Sequence, residues 1–348
     1  MKTLISKATL MAMGVLTMIM TGCTGPGQAK EESRLLTVQG EGIVVGILPD
    51  AGGRLVLLRT PTGENWIDST PTEWVAPHPQ PALEAPYSYR LRGGVVWNGP
   101  QSAFWTQQNL DSQRKADKPI WPPDPFTEWG RYVVQHREAG KVTLEGPASP
   151  ITGLRMSKTY HITAPGEITI DVTATNTSAR EVLWDLWPVL RVDPAVTVYV
   201  PLAHAESMRL NSRPPETPTT LRREADGLVW PGMAADKGAW DTKLFAITSR
   251  QTVRCVRGQE QLVMHGSLTD KSSVHPEQAP VEIYRGAGEP PTLEVEMHGS
   301  YLRLKTGESM RFAFTLRISS AATGPSPDPT NSPTPLPAGA SKTNNEMK

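Results

Sequence analysis

Cysteine is nearly absent: 348 residues contain two, Cys23 and Cys255. That excludes a disulfide framework. Net charge is absent too, with 35 basic against 35 acidic residues, and losing Lys2 and Lys7 with a leader would leave 33 against 35. Nucleic acid as a partner is therefore not expected, since binding it needs a basic footprint. Helical periodicity is missing as well, because no stretch carries an amphipathic pattern longer than about two turns. The seven histidines (His78, His136, His161, His204, His265, His275 and His298) form no His-x-His or His-Glu-x-x-His pair, so no metal is expected. No Gly-x-Ser-x-Gly elbow or phosphate-cradling glycine loop occurs, and no cofactor is expected. What remains is 38% hydrophobic residues, enough for a sizeable core in one large domain or two smaller ones.

The one long apolar run, residues 8–20, follows Lys2 and Lys7 and ends in Met20-Thr21-Gly22-Cys23. It is too short for a permanent membrane span and reads as an export signal. Its end resembles a bacterial lipobox, with Met20 where leucine is usual; the alternative is an ordinary secretory signal cut near Ala29. The lipobox reading gives a signal peptide at 1–22, a lipidated Cys23 anchoring the chain to the bilayer, and a polar tether at 23–34. Thr24 after the cysteine resembles lipoproteins sorted to the outer membrane. The expected localisation is the cell envelope.

From Leu35 onward the chain reads as strand after strand, and the fold class is all-β. Strands are expected at 36–38, 43–48, 54–59, 66–67, 131–137, 141–145, 154–162, 167–176, 181–192, 197–200, 228–230, 243–248, 252–256, 261–266, 281–284, 292–297, 301–305 and 309–318. Alternation is clean in 154–162 and 167–176, which implies one buried face. Residues 70–86 and 201–218, rich in proline, read as loops. Cys255, inside an alternating run, reads as a buried small hydrophobe. Residues 321–348, dominated by Pro, Ser, Thr, Gly and Asn, are expected to be disordered, which bounds the domain at 35–320.

Tryptophan is the abundant aromatic, ten against five phenylalanines. Trp97, Trp105, Trp121 and Trp129 gather in residues 93–129, and the prolines of 121–126 exclude interior helix there. A stiff loop presenting rings suits a sugar face. Equally, these indoles can cap the open end of a core, and Asp124 can fix its own proline-rich turn. Carboxylates that could pair across a cleft for glycoside hydrolysis are Asp124, Glu128, Asp185, Glu294 and Glu296.

Three phrases together resemble the galactose mutarotase-like superfamily. They are Thr152 to Tyr160 leading to Thr175-Asn176-Thr177-Ser178; Pro291 to Glu296 followed by Leu304 to Ser309; and Gly93 to Pro100 with Trp121 to Pro125, the last similar to a branch without assigned function. The resemblance spans residues 36–318 and implies a large antiparallel two-sheet β-supersandwich. It also implies a site in which a histidine acid and a glutamate base open a sugar ring. Glu294 matches the glutamate. Where the family has its histidine this chain has Trp184-Asp185-Leu186-Trp187, and no acid is matched. Trp187 suits stacking on a ring, and the expected site comprises Glu294 as the catalytic group with Trp97, Trp105, Trp121, Asp124, Trp129, Trp187 and Glu296 as ligand contacts. On the other reading Glu294 and Glu296 lie on an exposed strand face. The sequence thus supports a lipid-anchored carbohydrate-binding protein, with a sugar-active enzyme (epimerase-like or lyase-like) and a purely structural envelope protein as alternatives; oligomeric state stays open.

Overall fold

In the computed structural model the described residues are 34–321 except 85–91, 205–206, 214–219, 226, 234–240, 249 and 268. The signal peptide, Cys23, most of the tether and almost all of the tail lie outside them. Among the described residues, twenty strands form two antiparallel sheets of ten. The first runs β1 (Leu36–Gly40), β2 (Ile43–Leu48), β3 (Arg54–Arg59), β4 (Gly94–Gly99), β9 (Val182–Val192), β18 (Thr292–Met297), β17 (Val281–Gly286), β14 (Asp241–Ala246) and β11 (Met208–Arg213), with β19 (Leu302–Leu304) also on β9. The second runs β12 (Arg222–Glu224), β13 (Gly227–Trp230), β10 (Thr197–Pro201), β15 (Thr252–Arg257), β16 (Glu260–Gly266), β20 (Ser309–Ser320), β8 (Glu167–Asn176), β7 (Leu154–Ala164), β6 (Lys141–Ala148) and β5 (Val133–Glu138). Among the described residues, three short α-helices, α1 (Pro71–Val75), α2 (Ser112–Asp117) and α3 (Pro125–Trp129), and two 3-10 turns join them, and no helix is long and apolar enough to cross a membrane.

The core lies between the sheets. Leu186, Leu190, Val295 and Ile283 of the first meet Ile170, Met264, Phe312 and Phe314 of the second in one buried cluster. The second sheet obeys a simple alternation: in β8 every other residue is buried, so its far face is wetter. The centre of the first sheet does not. In β4, β9 and β18 almost every residue is buried, so something covers their outer face.

Four expectations need correction, the first being that the 70–86 loop holds α1, a single helical turn with Pro71 at its start and a Thr70–Glu73 capping box that favours it over loop. The 201–218 loop contains β11, an edge strand whose Met208 and Leu210 are only half-buried among polar neighbours, which blurs its pattern. The 93–129 stretch contains β4, whose Val95, Val96, Trp97 and Asn98 are buried on both faces and so show no alternation. Ile67 makes only an isolated bridge to Val192, and 66–67 is not a strand. The prolines of 121–126 act as expected, with α3 starting at Pro125 under an Asp124 cap. Cys255 is 2% exposed.

Candidate functional site

Period-two geometry divides each central strand of the first sheet between the core and an outer layer. On β9, Trp184, Leu186, Leu190 and Val192 join the core, which leaves Asp185, Trp187, Val189 and Arg191 outward. On β18 Leu293, Val295 and Met297 point in, leaving Glu294, Glu296 and the following His298 outward. Likewise Glu282 and Tyr284 of β17 and Lys243 of β14 back onto Ile283 and Leu244. Register aligns these residues in rows. Trp97 lies opposite Trp187, Glu296 opposite both Val189 and Glu282, and Glu294 opposite both Arg191 and Tyr284. The alternative of an exposed strand face for the two glutamates is overturned: Glu294 is 9% exposed and Glu296 0%.

Buried charges need partners, and here they have them. Lys243 Nζ is 2.9 Å from Glu282 Oε2 and 2.6 and 2.5 Å from the two Glu296 oxygens. Trp187 Nε1 donates to Glu296 Oε2 at 2.7 Å. His298 Nδ1 is 3.1 Å from Asp185 Oδ2, and Asp185 Oδ1 accepts the Gly99 N–H at 2.7 Å. His298 Nε2 lies 3.4 Å from Glu282 Oε1 without hydrogen-bond geometry. Arg191 Nε and Nη2 are each 2.8 Å from Glu294 Oε1. Alongside, Arg54 pairs with Glu128, whose other oxygen accepts Trp97 Nε1 at 2.8 Å.

Five carboxylates (Asp185, Glu282, Glu294, Glu296 and Glu128) thus meet three fixed cations (Arg54, Arg191 and Lys243) and His298. Even with His298 charged, one acid is in excess, which favours uptake of protons. Burial lowers the His298 pKa, but the carboxylates of Glu282 and Asp185 outweigh it and push it up to about 9. Burial, then the neighbouring Glu294 and Glu282, raise the Glu296 carboxyl despite Lys243. Burial also works against charge on Glu282, yet Lys243 and His298 hold it below the usual carboxylate range.

An aromatic wall closes one side. Trp97 meets Trp187 edge-on at 5.2 Å and Trp121 at 5.7 Å, and Phe104 lies 6.2 Å from Trp187. His298 packs on Trp187 at 5.1 Å and Lys243 Nζ lies 5.2 Å from its ring centre, so that indole is enclosed and 4% exposed. Trp121, Tyr284 and Phe245 are half-buried, and the Lys243 and Glu294 side chains are 19% and 12% exposed. Solvent meets the site there. Donor atoms of Glu282, Glu296 and His298 lie within 4.8 Å of one another, which makes them a set that could hold a metal ion.

The model of a family described as a domain of unknown function, DUF4380, matches residues 34–318. The chain belongs to that family. No curated protein matches this DUF4380 member in sequence. Among solved structures, the Slr1438 protein of Synechocystis superposes with a TM-score of 0.52 at 10% identity, over 82% of this chain and 96% of that one. The GalM/aldose epimerase homologue of C. elegans superposes with a TM-score of 0.51 at 10% identity, over 82% of this chain and 98% of that one. The fold is galactose mutarotase-like.

Of the residues expected from sequence, Trp97, Trp121, Trp187, Glu294 and Glu296 come together on this face. Trp105 joins the same apolar cluster from behind, its Nε1 donating to Pro122 O at 2.8 Å and Arg114 lying 4.3 Å over its ring. Trp129 belongs to a separate cluster with Leu48 and Val56, under Arg54. Asp124 caps α3 through the Phe126 N–H at 2.8 Å and also accepts from Ser149 and Thr152. Sequence reasoning missed Glu282, Lys243 and His298. A signal existed for the last: Glu294, Glu296 and His298 share one strand face at spacing two.

Proposed function

We propose that this outer face binds carbohydrate and that the protein does so in the cell envelope, held to the bilayer by acylated Cys23. One observation carries the binding reading: an aromatic wall ending in half-buried Trp121 adjoins Lys243 and the buried Arg191, with Glu294 and Lys243 partly exposed to solvent. Sugars present alternating apolar C–H faces and hydroxyls, which fit indole rings beside paired carboxylates and cations. The fold shared with the C. elegans aldose epimerase homologue supports a sugar as the ligand class. The test is calorimetry of the Cys23→Ser chain against a panel of mono- and oligosaccharides. Binding is expected, and Trp121→Ala should weaken it by about 1–2 kcal/mol. No binding to any sugar in the panel overturns the reading.

A second reading, an epimerase-like enzyme, is favoured by His298, an imidazolium between Asp185 and Glu282 on the same strand face as Glu294. A protonated imidazole can deliver a proton to a ring oxygen while a carboxylate takes the anomeric hydroxyl proton, breaking the ring C–O bond. His298 is 0% exposed behind Trp187 and Lys243, which is why binding is the primary reading. Polarimetric mutarotation assays decide. Turnover that falls by orders of magnitude in Glu294→Gln while sugar affinity survives supports the enzyme, and binding without turnover removes it.

A further inference from the structure

We propose that Glu282, Glu296 and His298 form a divalent-cation site in which the Lys243 ammonium is the resident competitor. The inference stands apart from sugar binding. Its first ground is geometry: one oxygen of each carboxylate and a ring nitrogen of His298 lie within 4.8 Å of one another, all on side chains 0–2% exposed. These donors are fixed by the backbone of two paired strands, with Glu282 directly opposite Glu296.

The second ground is independent of the acids. His298 Nε2 is buried and lacks a hydrogen-bond partner among the described residues, on a residue that is 0% exposed. Its other nitrogen, Nδ1, is 3.1 Å from Asp185 Oδ2, which is itself held by the Gly99 N–H. Asp185 holds the proton on Nδ1, so an ion entering the site would displace the proton from Nε2 and take its lone pair, with the carboxylate as the usual outer support of a ligating imidazole. Nε2 lies 3.4 Å from Glu282 Oε1 without the geometry of a hydrogen bond, so the buried nitrogen has a charged neighbour but no hydrogen-bond partner among the described residues.

Lys243 supplies the positive charge nearest both glutamates in this structure, its Nζ lying 2.9 Å from Glu282 and 2.5 Å from Glu296. It differs from the donors in being 19% exposed on a flexible stem from the next strand, so it can withdraw toward solvent without a change in β17 or β18. Two oxygens and one imidazole nitrogen suit a first-row ion such as Mn²⁺ or Zn²⁺, with remaining positions open to water or ligand. Calcium, which takes six to eight oxygens, is not matched.

Equilibrium dialysis of the full chain against Mn²⁺, Zn²⁺ and Ca²⁺ salts, with bound metal counted by mass spectrometry, tests this. Wild type is expected to hold one Mn²⁺ or Zn²⁺ per chain, and Lys243→Met to hold it at least tenfold more tightly because the competitor is gone. His298→Gln and Glu282→Gln should each lose it, with circular dichroism confirming that both remain folded. Electron paramagnetic resonance of the Mn²⁺ form should show nitrogen coupling in wild type and none in His298→Gln. Wild type binding neither Mn²⁺ nor Zn²⁺, whether or not Lys243→Met binds one, overturns the proposal. So does binding that survives in folded His298→Gln.

Discussion

Lys158 and His298 are both fully buried bases, yet their surroundings push them opposite ways. Lys158 donates to Gly52 O at 2.7 Å and lies over Tyr132; burial first, then Arg54, lowers its pKa to about 7 from 10.5. The unfolded chain therefore binds more protons between about pH 7 and 10.5, and this residue's contribution to stability rises with pH across that window. His298, raised from 6.5 to about 9, contributes stability fully below pH 6.5 and loses it as pH climbs through 9. Denaturant unfolding over this range should show the two effects separately. Relative to wild type, Lys158→Met should remove an upward slope of at most about 1.4 kcal/mol per pH unit, and His298→Gln should remove a downward one. Equal slopes in all three proteins would contradict both assignments. Glu294 and Trp187 were legible in the sequence because they sit in phrases that resemble a known superfamily. Glu282 and Lys243 were not, since only the register of β14, β17 and β18 brings them beside Glu296.

At the level of elements, the β2–β3 turn holds the edge of the site. Gly52, at φ +75°, donates to Gly130 O at 2.9 Å, while Arg54 just beyond it reaches Glu128 and so supports Trp97. A Cβ on Gly52 would stand 2.6 Å from Glu128 O and 2.8 Å from Thr127 O, both backbone atoms. Gly52→Ala should therefore cost about 3 kcal/mol in equilibrium unfolding, combining left-handed strain with the clash. Gly258 is the control, because its φ is +57° with nothing within 4 Å, and Ala there should cost about 1 kcal/mol. Similar losses at both positions would refute the clamp. Strands such as β7 and β8, wet on one side, could be read from alternation. β4 could not, because its two buried faces remove the contrast on which period two depends.

For the whole molecule, two expectations lie beyond the described residues. Cys23→Ser should move the protein from the membrane fraction to the soluble one, since the acyl chains would carry most of the apolar area inserted in the bilayer; unchanged fractionation would sink the anchor. Truncation after Ala321, whose N–H donates to Gln259 O at 2.8 Å, should leave the thermal midpoint unaltered. A fall of several degrees would mean that the tail docks. The site itself is built on the reverse side of core strands, Glu296 beside Val295 and Trp187 beside Leu186. Amides of β9 and β18 should accordingly exchange with deuterium only when the entire sandwich opens, unlike those of a site carried on loops. Occupancy by a sugar or an ion would then slow exchange across both sheets together rather than at a local patch.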